Sequence, residues 1–508
     1  MNPNYKRSRL PAVLGITVAL LIQLILPSAL LAQPAEVKTF QFKKTATIKI
    51  KVLSKQAFEQ KFAANPLIPK TNESIIQLAQ KLYTPATREE ILTEECGEEL
   101  FGALFAALSN PDISDATRDQ VDALVDAFTP NLPDVYTSGH FKFYYTTSDT
   151  DPNNNVTLEE IKATATILNN AWNNYVTNFT TPKHYVVSGG CCADKKMIDV
   201  KVYYLGSTLY GSTSSSWDHI NLNSKYVVKD TCKRKTTPVH ELFHRVQYSY
   251  GYVTGTANMS WAVEGTAAWS QKYKAPQVGD WMTRMNSGLN APDRQLVSGR
   301  SYNACHFWCY LGQRGQGEVA TINQVWSTFS TNGNDMPNAV QSTIVARVTG
   351  CNSFDQFAQW WNFANFYKDA SNADAKYDYE EDEWTRTCDG VNYGPLTSVP
   401  RTSLTLNIGS NITQSSTVSP YGADYFEFAI GNTVTQVDID VTTTATQFGY
   451  AVIELKNNAV QNYDLTPAGG MQNYNYTKNF TAGALSHIVL MVVGNPDGGT
   501  YTVTASSN

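Results

Sequence analysis

Residues 240–244 read His-Glu-Leu-Phe-His, and this stretch decides the fold and the chemistry that we expect of the 508-residue chain. The two histidines are four positions apart, so on a helix they share one face and both imidazoles can reach one tetrahedral metal ion. Glu241 is rotated about 100° away from them, which suits a base acting on water rather than a ligand. The alternative is a solvated helix without a metal.

A third ligand is expected from residues 261–269, which read Trp-Ala-Val-Glu-Gly-Thr-Ala-Ala-Trp. Glu264 stands 20 positions after His244 on a second predicted helix, and a connecting loop can return its carboxylate to the metal. Two histidines and one glutamate leave a fourth position open, as in catalytic rather than structural zinc sites. The sequence therefore predicts zinc bound by His240, His244 and Glu264, with Glu241 as the catalytic base.

Hydrophobic patterning around these helices predicts a mixed α+β domain. Residues 140–147, 198–205 and 217–222 have the composition of strands, and 217–222 is the candidate edge strand, able to pair with an extended peptide. The metal-binding helix is expected to begin at Pro238, with Thr237 as its N-cap.

The pattern HELFH followed by the glutamate of WAVEG resembles the gluzincin metallopeptidases, the thermolysin-like group. A wider stretch, about residues 135–315, resembles a family of secreted bacterial metalloproteases. The segments that carry this resemblance are SGHFKFYY at 138–145, HELFHRVQYSYG at 240–251, WAVEGTAAW at 261–269 and YNACHFWCYL at 302–311. The resemblance implies a thermolysin-like catalytic domain, in which the edge strand of a small mixed sheet lines the substrate cleft, with the same ligands and base.

Two departures from the gluzincin pattern matter. Many members carry an acidic residue four positions after the ligand glutamate, but here that residue is Ala268, so the partner that orients a zinc histidine is unidentified. The motif Gly-x-Met-Glu-Asn of the aminopeptidase branch is absent, which favours an endopeptidase. Tyr302 and His306 are the candidate oxyanion donors, and ordinary packing on an aromatic helix is the alternative for both.

Residues 149–160 match much of a calcium-loop template. The matching residues are Asp149, Asp151, Asn153, Asn155, Thr157 and Glu160. The glycine position of the template holds Asn154, which tolerates a left-handed turn. The alternative is a polar loop that ends in a helix cap.

Composition divides the chain into four parts. These are a signal peptide at 1–32, an N-terminal region at 33–134 that is a propeptide or a subdomain, a metallopeptidase domain at 135–400, and an accessory β-sandwich at 401–508. After removal of the signal no segment is expected in a membrane. Eight cysteines in an exported chain suggest up to four disulfides, although Cys305 and Cys309 are also consistent with a buried thiol pair.

The expected function is that of a secreted zinc endopeptidase acting on peptides or proteins. A formal net charge of −6 argues against nucleic acid as a partner. The rival interpretation is a non-catalytic surface or adhesion protein, with a vestigial zinc site and a sandwich that binds a glycan or a protein. Retention of Glu241 favours the enzyme, because a dead homologue has little reason to keep the base along with three ligands.

Overall fold

A computed structural model describes residues 53, 55–62, 65–83, 98–184, 197–215, 219–371, 377–381, 384–444, 448–466, 470–496 and 498–508. The expected signal peptide and Cys96, Cys191 and Cys192 lie outside these ranges. Within them, no helix combines the length and the apolar character that crossing a bilayer requires. The architecture is mixed α+β, and its C-terminal region consists of strands.

The helices precede the C-terminal strands along the chain. The N-terminal helices are α1 Lys55–Phe62, α2 Asn72–Tyr83, α3 Glu98–Leu108 and α4 Asp115–Phe128. The central helices are α5 Leu158–Asn178, α6 Lys233–Ser249, α7 Ser260–Lys274, α8 Asp280–Leu289, α9 Leu296–Gly299, α10 Cys305–Arg314, α11 Glu318–Thr331, α12 Met336–Arg347 and α13 Phe354–Tyr367. A π-helical turn, Ser224–Val228, and a 3-10 turn, Tyr302–Ala304, precede α6 and α10.

The central sheet has five strands in the order β1-β2-β3-β5-β4. Its strands are β1 Asp134–Ser138, β2 Phe141–Tyr145, β3 Ile198–Tyr203, β4 Gly211–Thr213 and β5 His219–Asn223. The middle strands β2, β3 and β5 are parallel, whereas β1 and β4 run antiparallel to their neighbours. The sheet is therefore mixed, as expected.

The expected edge strand at 217–222 was wrong. Its structural counterpart β5 lies inside the sheet between β3 and β4, and all five of its residues are buried, as is usual for a strand with neighbours on both sides. The edge of the sheet next to β5 is formed by β4, and the opposite edge by β1. The three residues of β4 are too few to show an alternation of apolar and polar side chains in the sequence.

Helix α6 begins at Lys233, five residues before the predicted start at Pro238. A carboxylate oxygen of Asp230 accepts hydrogen bonds from the backbone N–H groups of Cys232 and Lys233, both at 2.8 Å, and so completes the first turn. Thr237 is therefore not the N-cap. Pro238 lies inside the helix near its beginning, where it removes a single backbone hydrogen bond.

The four N-terminal helices share a hydrophobic core with the central region. Ile75 and Leu82 of α2 pack in the same cluster as Tyr203, Leu205 and Leu209, which lie at and after the end of β3. The side chains of Tyr203, Leu205 and Leu209 are at most 5 % exposed. Burial of one large apolar side chain contributes about 1.5–3 kcal/mol, so this contact joins the N-terminal helices firmly to the sheet.

The C-terminal strands form two sheets around one core. The first sheet has the order β13-β12-β15-β10-β8 and the second β14-β11-β16-β9. Their bounds are β8 Thr402–Leu406, β9 Asn411–Val418, β10 Ala423–Ile430, β11 Gln436–Thr443, β12 Phe448–Lys456, β13 Ala459–Leu465, β14 Tyr474–Asn479, β15 His487–Gly494 and β16 Gly499–Ser507, while a hairpin, β6 Arg386–Cys388 and β7 Val391–Tyr393, precedes them. Apolar residues of both sheets belong to one buried cluster, as in a β-sandwich.

The sandwich packs on the helical region through α13. The side chain of Gln359 donates a hydrogen bond to the carbonyl of Tyr450 at 2.9 Å, and the Tyr425 hydroxyl donates to the carbonyl of Asn362 at 2.6 Å. Residues of β10, β12 and β15 share the large central core with this helix. One face of the sandwich is therefore occupied by the rest of the chain.

The cysteines lower the expected upper limit of four disulfides. Cys232 and Cys388 form a disulfide, which joins the start of α6 to the β6–β7 hairpin. Cys305, Cys309 and Cys351 are buried free thiols, and the sulfurs of the first two are 3.8 Å apart. With three thiols free, the eight cysteines can form two disulfides at most. The alternative of a buried thiol pair at Cys305 and Cys309 is confirmed.

We predict that alkylation of the denatured, unreduced protein labels Cys305, Cys309 and Cys351. Cys232 and Cys388 should be labelled only after reduction, because their thiols are joined in the folded chain. Mass spectrometry of proteolytic fragments measures both outcomes. A Cys305–Cys309 disulfide in the unreduced sample would contradict this prediction.

Candidate metal centre

Three side chains from two helices converge on one point. His240 and His244 belong to α6 and Glu264 to α7, and their potential ligand atoms all lie within 4.8 Å of one another. Both histidines present Nε2 to the same carboxylate oxygen, Glu264 Oε2, at 3.0 Å and 3.6 Å. All three residues are buried. The structure thus brings the three predicted ligands together, as their spacing in the sequence indicated.

These separations fit a tetrahedral metal site. Metal–ligand bonds of 2.0–2.2 Å, typical of zinc, place neighbouring ligand atoms of a tetrahedral site about 3.3–3.6 Å apart. Of the two separations from Glu264 Oε2, 3.6 Å lies in that range and 3.0 Å is slightly shorter. One further group of three metal-ligating side chains occurs among the described residues, at Cys232, Cys388 and Asp389, but its two sulfurs are joined in a disulfide. The histidine–glutamate group is therefore the better candidate for a metal.

The side chain of Glu241, on α6, lies against β4, an edge strand of the central sheet. Its side chain is fully buried. A Cβ atom at Gly211, the first residue of β4, would stand 2.6 Å from Glu241 Oε1 and 2.8 Å from Glu241 Cγ. Only glycine leaves room for the carboxylate at this position. The sequence gives no signal for Gly211, because its significance depends on the approach of β4 to α6.

Gln247 is the orienting partner of a candidate ligand histidine, which the sequence left unidentified. His244 Nδ1 is 2.8 Å from Gln247 Oε1, while Gln247 Nε2 donates to the carbonyl of Val263 at 2.8 Å and to Thr266 Oγ1 at 2.9 Å. Gln247 therefore ties the second histidine to the helix that carries Glu264. Gln247 stands three residues after His244, so the two side chains share one helical face. This spacing could have been recognised in the sequence.

The hydrogen bonds determine the tautomer of His244. The Thr266 hydroxyl donates to the carbonyl of Ala262 at 2.6 Å, so its oxygen accepts from Gln247 Nε2. The Val263 carbonyl accepts only, which fixes the same orientation of the amide. Gln247 Oε1 must then accept a hydrogen bond from the Nδ1–H of His244, and His244 Nε2 carries the lone pair that faces Glu264.

A glycine beside the third ligand allows α7 to pack closely on α10. A Cβ at Gly265 would lie 2.6 Å from the indole of Trp308. The Trp308 indole N–H donates to the carbonyl of Trp261 at 2.7 Å, and the two rings stack 5.1 Å apart. The tryptophan and glycine of the WAVEG stretch therefore set the position of the helix that presents Glu264.

Tyr302 lies against the metal-binding group. Its ring stacks on that of His240, with centroids 5.5 Å apart and planes 18° apart. The guanidinium carbon of Arg284 lies 4.8 Å from the centre of the same ring. The residue is thus close enough to the centre to remain a candidate for contact with substrate.

His306 is placed differently from Tyr302. It is fully buried, its Nδ1 is 2.6 Å from the carbonyl oxygen of Asn303, and its ring lies 4.8 Å from that of Trp361. Burial and the nearby charge of Arg300 hold the pKa of His306 well below its usual value, against the opposing effect of the Asn303 hydrogen bond. The lowered pKa favours the neutral imidazole of His306 over the charged one. Its contacts fit the packing alternative.

The loop at 149–160 is organised by hydrogen bonds of its own. Glu160 Oε2 accepts from the backbone N–H of Thr157 at 2.7 Å, and Thr157 Oγ1 accepts from the N–H of Glu160 at 3.2 Å, which is a capping box at the start of α5. Asp149 and Asp151 accept from the backbone N–H groups two residues further on, at 2.8 Å and 2.9 Å. The carbonyl of Asn153 accepts from the Ser224 hydroxyl at 2.5 Å.

These hydrogen bonds favour the helix-cap alternative over the calcium loop. The side-chain amide of Asn155 accepts from the backbone N–H of Asp149 and donates to the carbonyl of Asp149, so it is used in hydrogen bonds within the loop. Among the described residues, the acidic side chains of this loop form no group of three that could hold an ion. The ammonium group of Lys229 also lies 3.3 Å from the carbonyl of Pro152, where it disfavours a cation.

Comparisons with known proteins give no family. No family model matches the chain, and neither does any curated protein. Three solved structures show local similarity: the pre-peptidase C-terminal domain of a collagenase from Bacillus anthracis, the mitogen of Yersinia pseudotuberculosis, and PliG, a periplasmic lysozyme inhibitor from Aeromonas hydrophila. The collagenase domain is 13 % identical, covers 22 % of this chain and 100 % of its own, and has a TM-score of 0.16. The mitogen is 14 % identical, covers 20 % of this chain and 88 % of its own, and has a TM-score of 0.15. PliG is 7 % identical, covers 21 % of this chain and 96 % of its own, and has a TM-score of 0.15. Similarities this weak assign neither fold nor activity.

We predict that Gln247→Leu weakens zinc binding by about 10–100-fold, as is typical when the group that orients a ligand histidine is lost. Gln247→Glu, which keeps an acceptor for His244 Nδ1, should weaken it less. Chelator competition measures the affinity, and the melting temperatures of the metal-free proteins report any loss of folding. Gln324→Leu on α11 is the matched control. Equal zinc affinity in Gln247→Leu and the wild type would contradict the assigned contact.

For the loop at 149–160, we predict that Thr157→Ala lowers the free energy of unfolding by about 1 kcal/mol, the usual effect of removing an N-cap. The loss should be the same with and without added calcium. Thermal or denaturant unfolding measures it. A calcium-dependent rise in melting temperature that disappears in Asp149→Ala/Asp151→Ala would instead establish an ion in this loop.

Proposed function

We propose that the protein is a secreted zinc-dependent endopeptidase of the thermolysin-like type. The observation that carries the proposal is the convergence of His240, His244 and Glu264 on one point, with Glu241 next to His240 along the same helix and its carboxylate against the edge strand β4. Zinc at this point would be held by the two Nε2 atoms and Glu264 Oε2, and when bound it supplies Lewis acidity and acidifies water. The disulfide between Cys232 and Cys388 supports export.

The side chains around the centre have separate functions in this proposal. Glu241 accepts the proton of the attacking water and passes it to the leaving amine, as a general base and then a general acid. Gln247 keeps the lone pair of His244 Nε2 directed at the metal. Tyr302 is the candidate for a hydroxyl donor to the developing oxyanion, because its ring already lies on His240.

The substrate would bind beside β4. Residues Gly211–Thr213 form the end of the central sheet, and Gly211 stands directly over Glu241. An extended peptide that adds to such an edge is held by main-chain hydrogen bonds. This geometry would bring a peptide carbonyl near the base, and it replaces the expected edge strand at 217–222 with the shorter β4.

We predict that Glu241→Gln retains zinc and the fold but loses peptide cleavage by roughly 10²–10⁴-fold, the usual contribution of a general base. Glu264→Ala should instead weaken the zinc affinity, because three protein ligands are the minimum in such sites. Zinc content and hydrolysis of casein, an unstructured protein, measure the two effects separately. Glu427→Gln on β10 serves as a control for the charge change.

Three outcomes would count against the proposal. Undiminished cleavage by Glu241→Gln would remove the base from the mechanism. Normal zinc affinity in Glu264→Ala would mean that another residue is the third ligand. A wild-type protein that holds zinc but cleaves no peptide, even after proteolytic processing, would favour the non-catalytic adhesion protein.

A further inference from the structure

We propose that Lys225, held over a cluster of tyrosine rings beside β4, binds an acidic side chain of the substrate close to the scissile bond, so that the enzyme selects acidic peptides. This inference rests on the proposed peptidase function and names the substrate class of the same site. It starts from three neighbouring rings at the beginning of β4, where Gly211 approaches Glu241. The rings, which we call the tyrosine cluster, are those of Tyr204, Tyr210 and Tyr226.

The tyrosine cluster is an aromatic surface that carries a positive charge. The centre of the Tyr226 ring lies 6.2 Å from the centres of both the Tyr204 and the Tyr210 rings. The ammonium nitrogen of Lys225 lies 5.7 Å from the centre of the Tyr204 ring and 5.0 Å from that of Tyr226. A cation in this position is attracted by the electron-rich faces of the rings. Because Lys225 is an exposed residue, its ammonium group is accessible to an anion from outside.

One fully buried side chain, that of Asn223, fixes the two segments that carry the cluster. Asn223 Oδ1 accepts hydrogen bonds from the backbone N–H groups of Lys225 and Tyr226, both at 3.1 Å. Asn223 Nδ2 donates to the carbonyls of Gly206 and Leu209, both at 2.7 Å. The π-helical turn that carries Lys225 is therefore tied to the loop before β4. A lysine positioned in this way loses less conformational freedom when it binds a ligand.

The tyrosine cluster lies along the path of a peptide that adds to β4. Tyr210 directly precedes Gly211, the residue that approaches the candidate base Glu241. The Tyr226 ring is centred 6.2 Å from that of Tyr210, which is the length of about two strand residues. An extended substrate whose scissile bond lies at Glu241 therefore brings to Lys225 a side chain about two or three residues away from that bond.

The charge around the cluster selects the occupant. The whole chain has 39 basic and 45 acidic residues, but residues 225–235 contain five basic residues and a single acidic one, Asp230. Asp230 accepts backbone hydrogen bonds at the start of α6, and Asp280 lies 3.5 Å from Lys233. In the part of the chain that the structure describes, the ammonium group of Lys225 contacts aromatic rings rather than a carboxylate. Coulombic attraction therefore favours a substrate carboxylate at this position and disfavours a lysine or an arginine.

The test compares peptides of one sequence that carry glutamate, glutamine, lysine or phenylalanine at a single position near the scissile bond. For the wild type, kcat/KM should be about three- to tenfold higher with glutamate than with glutamine at one such position, as expected for an ion pair that water partly screens. The difference should lie mainly in KM, because the ion pair forms on binding, and it should become smaller in high salt.

Variants of Lys225 test the contact itself. Lys225 is exposed, so Lys225→Glu and Lys225→Met should fold and retain zinc. Lys225→Glu should reverse the order of the glutamate and lysine peptides, and Lys225→Met, whose stem still packs on the rings, should abolish the preference for glutamate. The matched control is Lys235→Glu, which makes the same charge change at another exposed lysine of this basic stretch. It should alter the preference less than about twofold.

The outcomes separate this inference from the proposed function. Cleavage that does not distinguish glutamate from glutamine, or a preference for glutamate that Lys225→Glu leaves intact, overturns the contact and leaves the peptidase proposal standing. So does an equal loss of the preference in Lys235→Glu, which would assign it to the general field of the basic stretch. A preference for phenylalanine over glutamate would mean that the rings alone recognise the substrate, and it also overturns the inference. A wild type that binds zinc and cleaves nothing overturns the peptidase proposal and this inference together.

Discussion

The candidate metal centre depends on the hydrogen-bonded contact between α6 and α7. Gln247 reaches from the helix of the two histidines to the carbonyl of Val263 and to Thr266, on either side of Glu264. The same amide accepts from His244. A buried amide that lost these partners would cost about 1–3 kcal/mol, so each contact holds the others in place. The register between the two helices, and with it the 3.0 Å approach of Glu264 to His240, follows from this network.

The rest of the chain fixes the outer faces of these two helices. On one side α7 packs on Trp308, which fits only because residue 265 is glycine. On the other side β4 approaches Glu241 through a second glycine, Gly211. The disulfide at Cys232 holds the beginning of α6. Glycines thus stand where backbone must come close to the centre, and large aromatic side chains fill the space behind it.

The sequence predicted those parts of the structure that show a hydrophobic periodicity or a recognisable motif. Strands β2 and β3 lie within the predicted ranges 140–147 and 198–205, and the histidine pair with Glu264 converges as its spacing required. The parts that depend on contacts between distant segments were missed. Strand β4 is too short for a pattern, and the contact of Gly211 with Glu241 joins segments that are far apart in the sequence. The spacing of Gln247 from His244 could be read from the sequence, but its function becomes clear only once Val263 and Thr266 are placed beside it.

Charge explains why a neutral amide is suited to orient His244. The site already contains two buried carboxylates, Glu241 and Glu264, each at most 2 % exposed. Two negative charges balance a divalent cation, whereas a third carboxylate at position 247 would add an uncompensated charge to a buried group of side chains. The neutral Gln247 accepts the same hydrogen bond from His244 Nδ1 without adding charge.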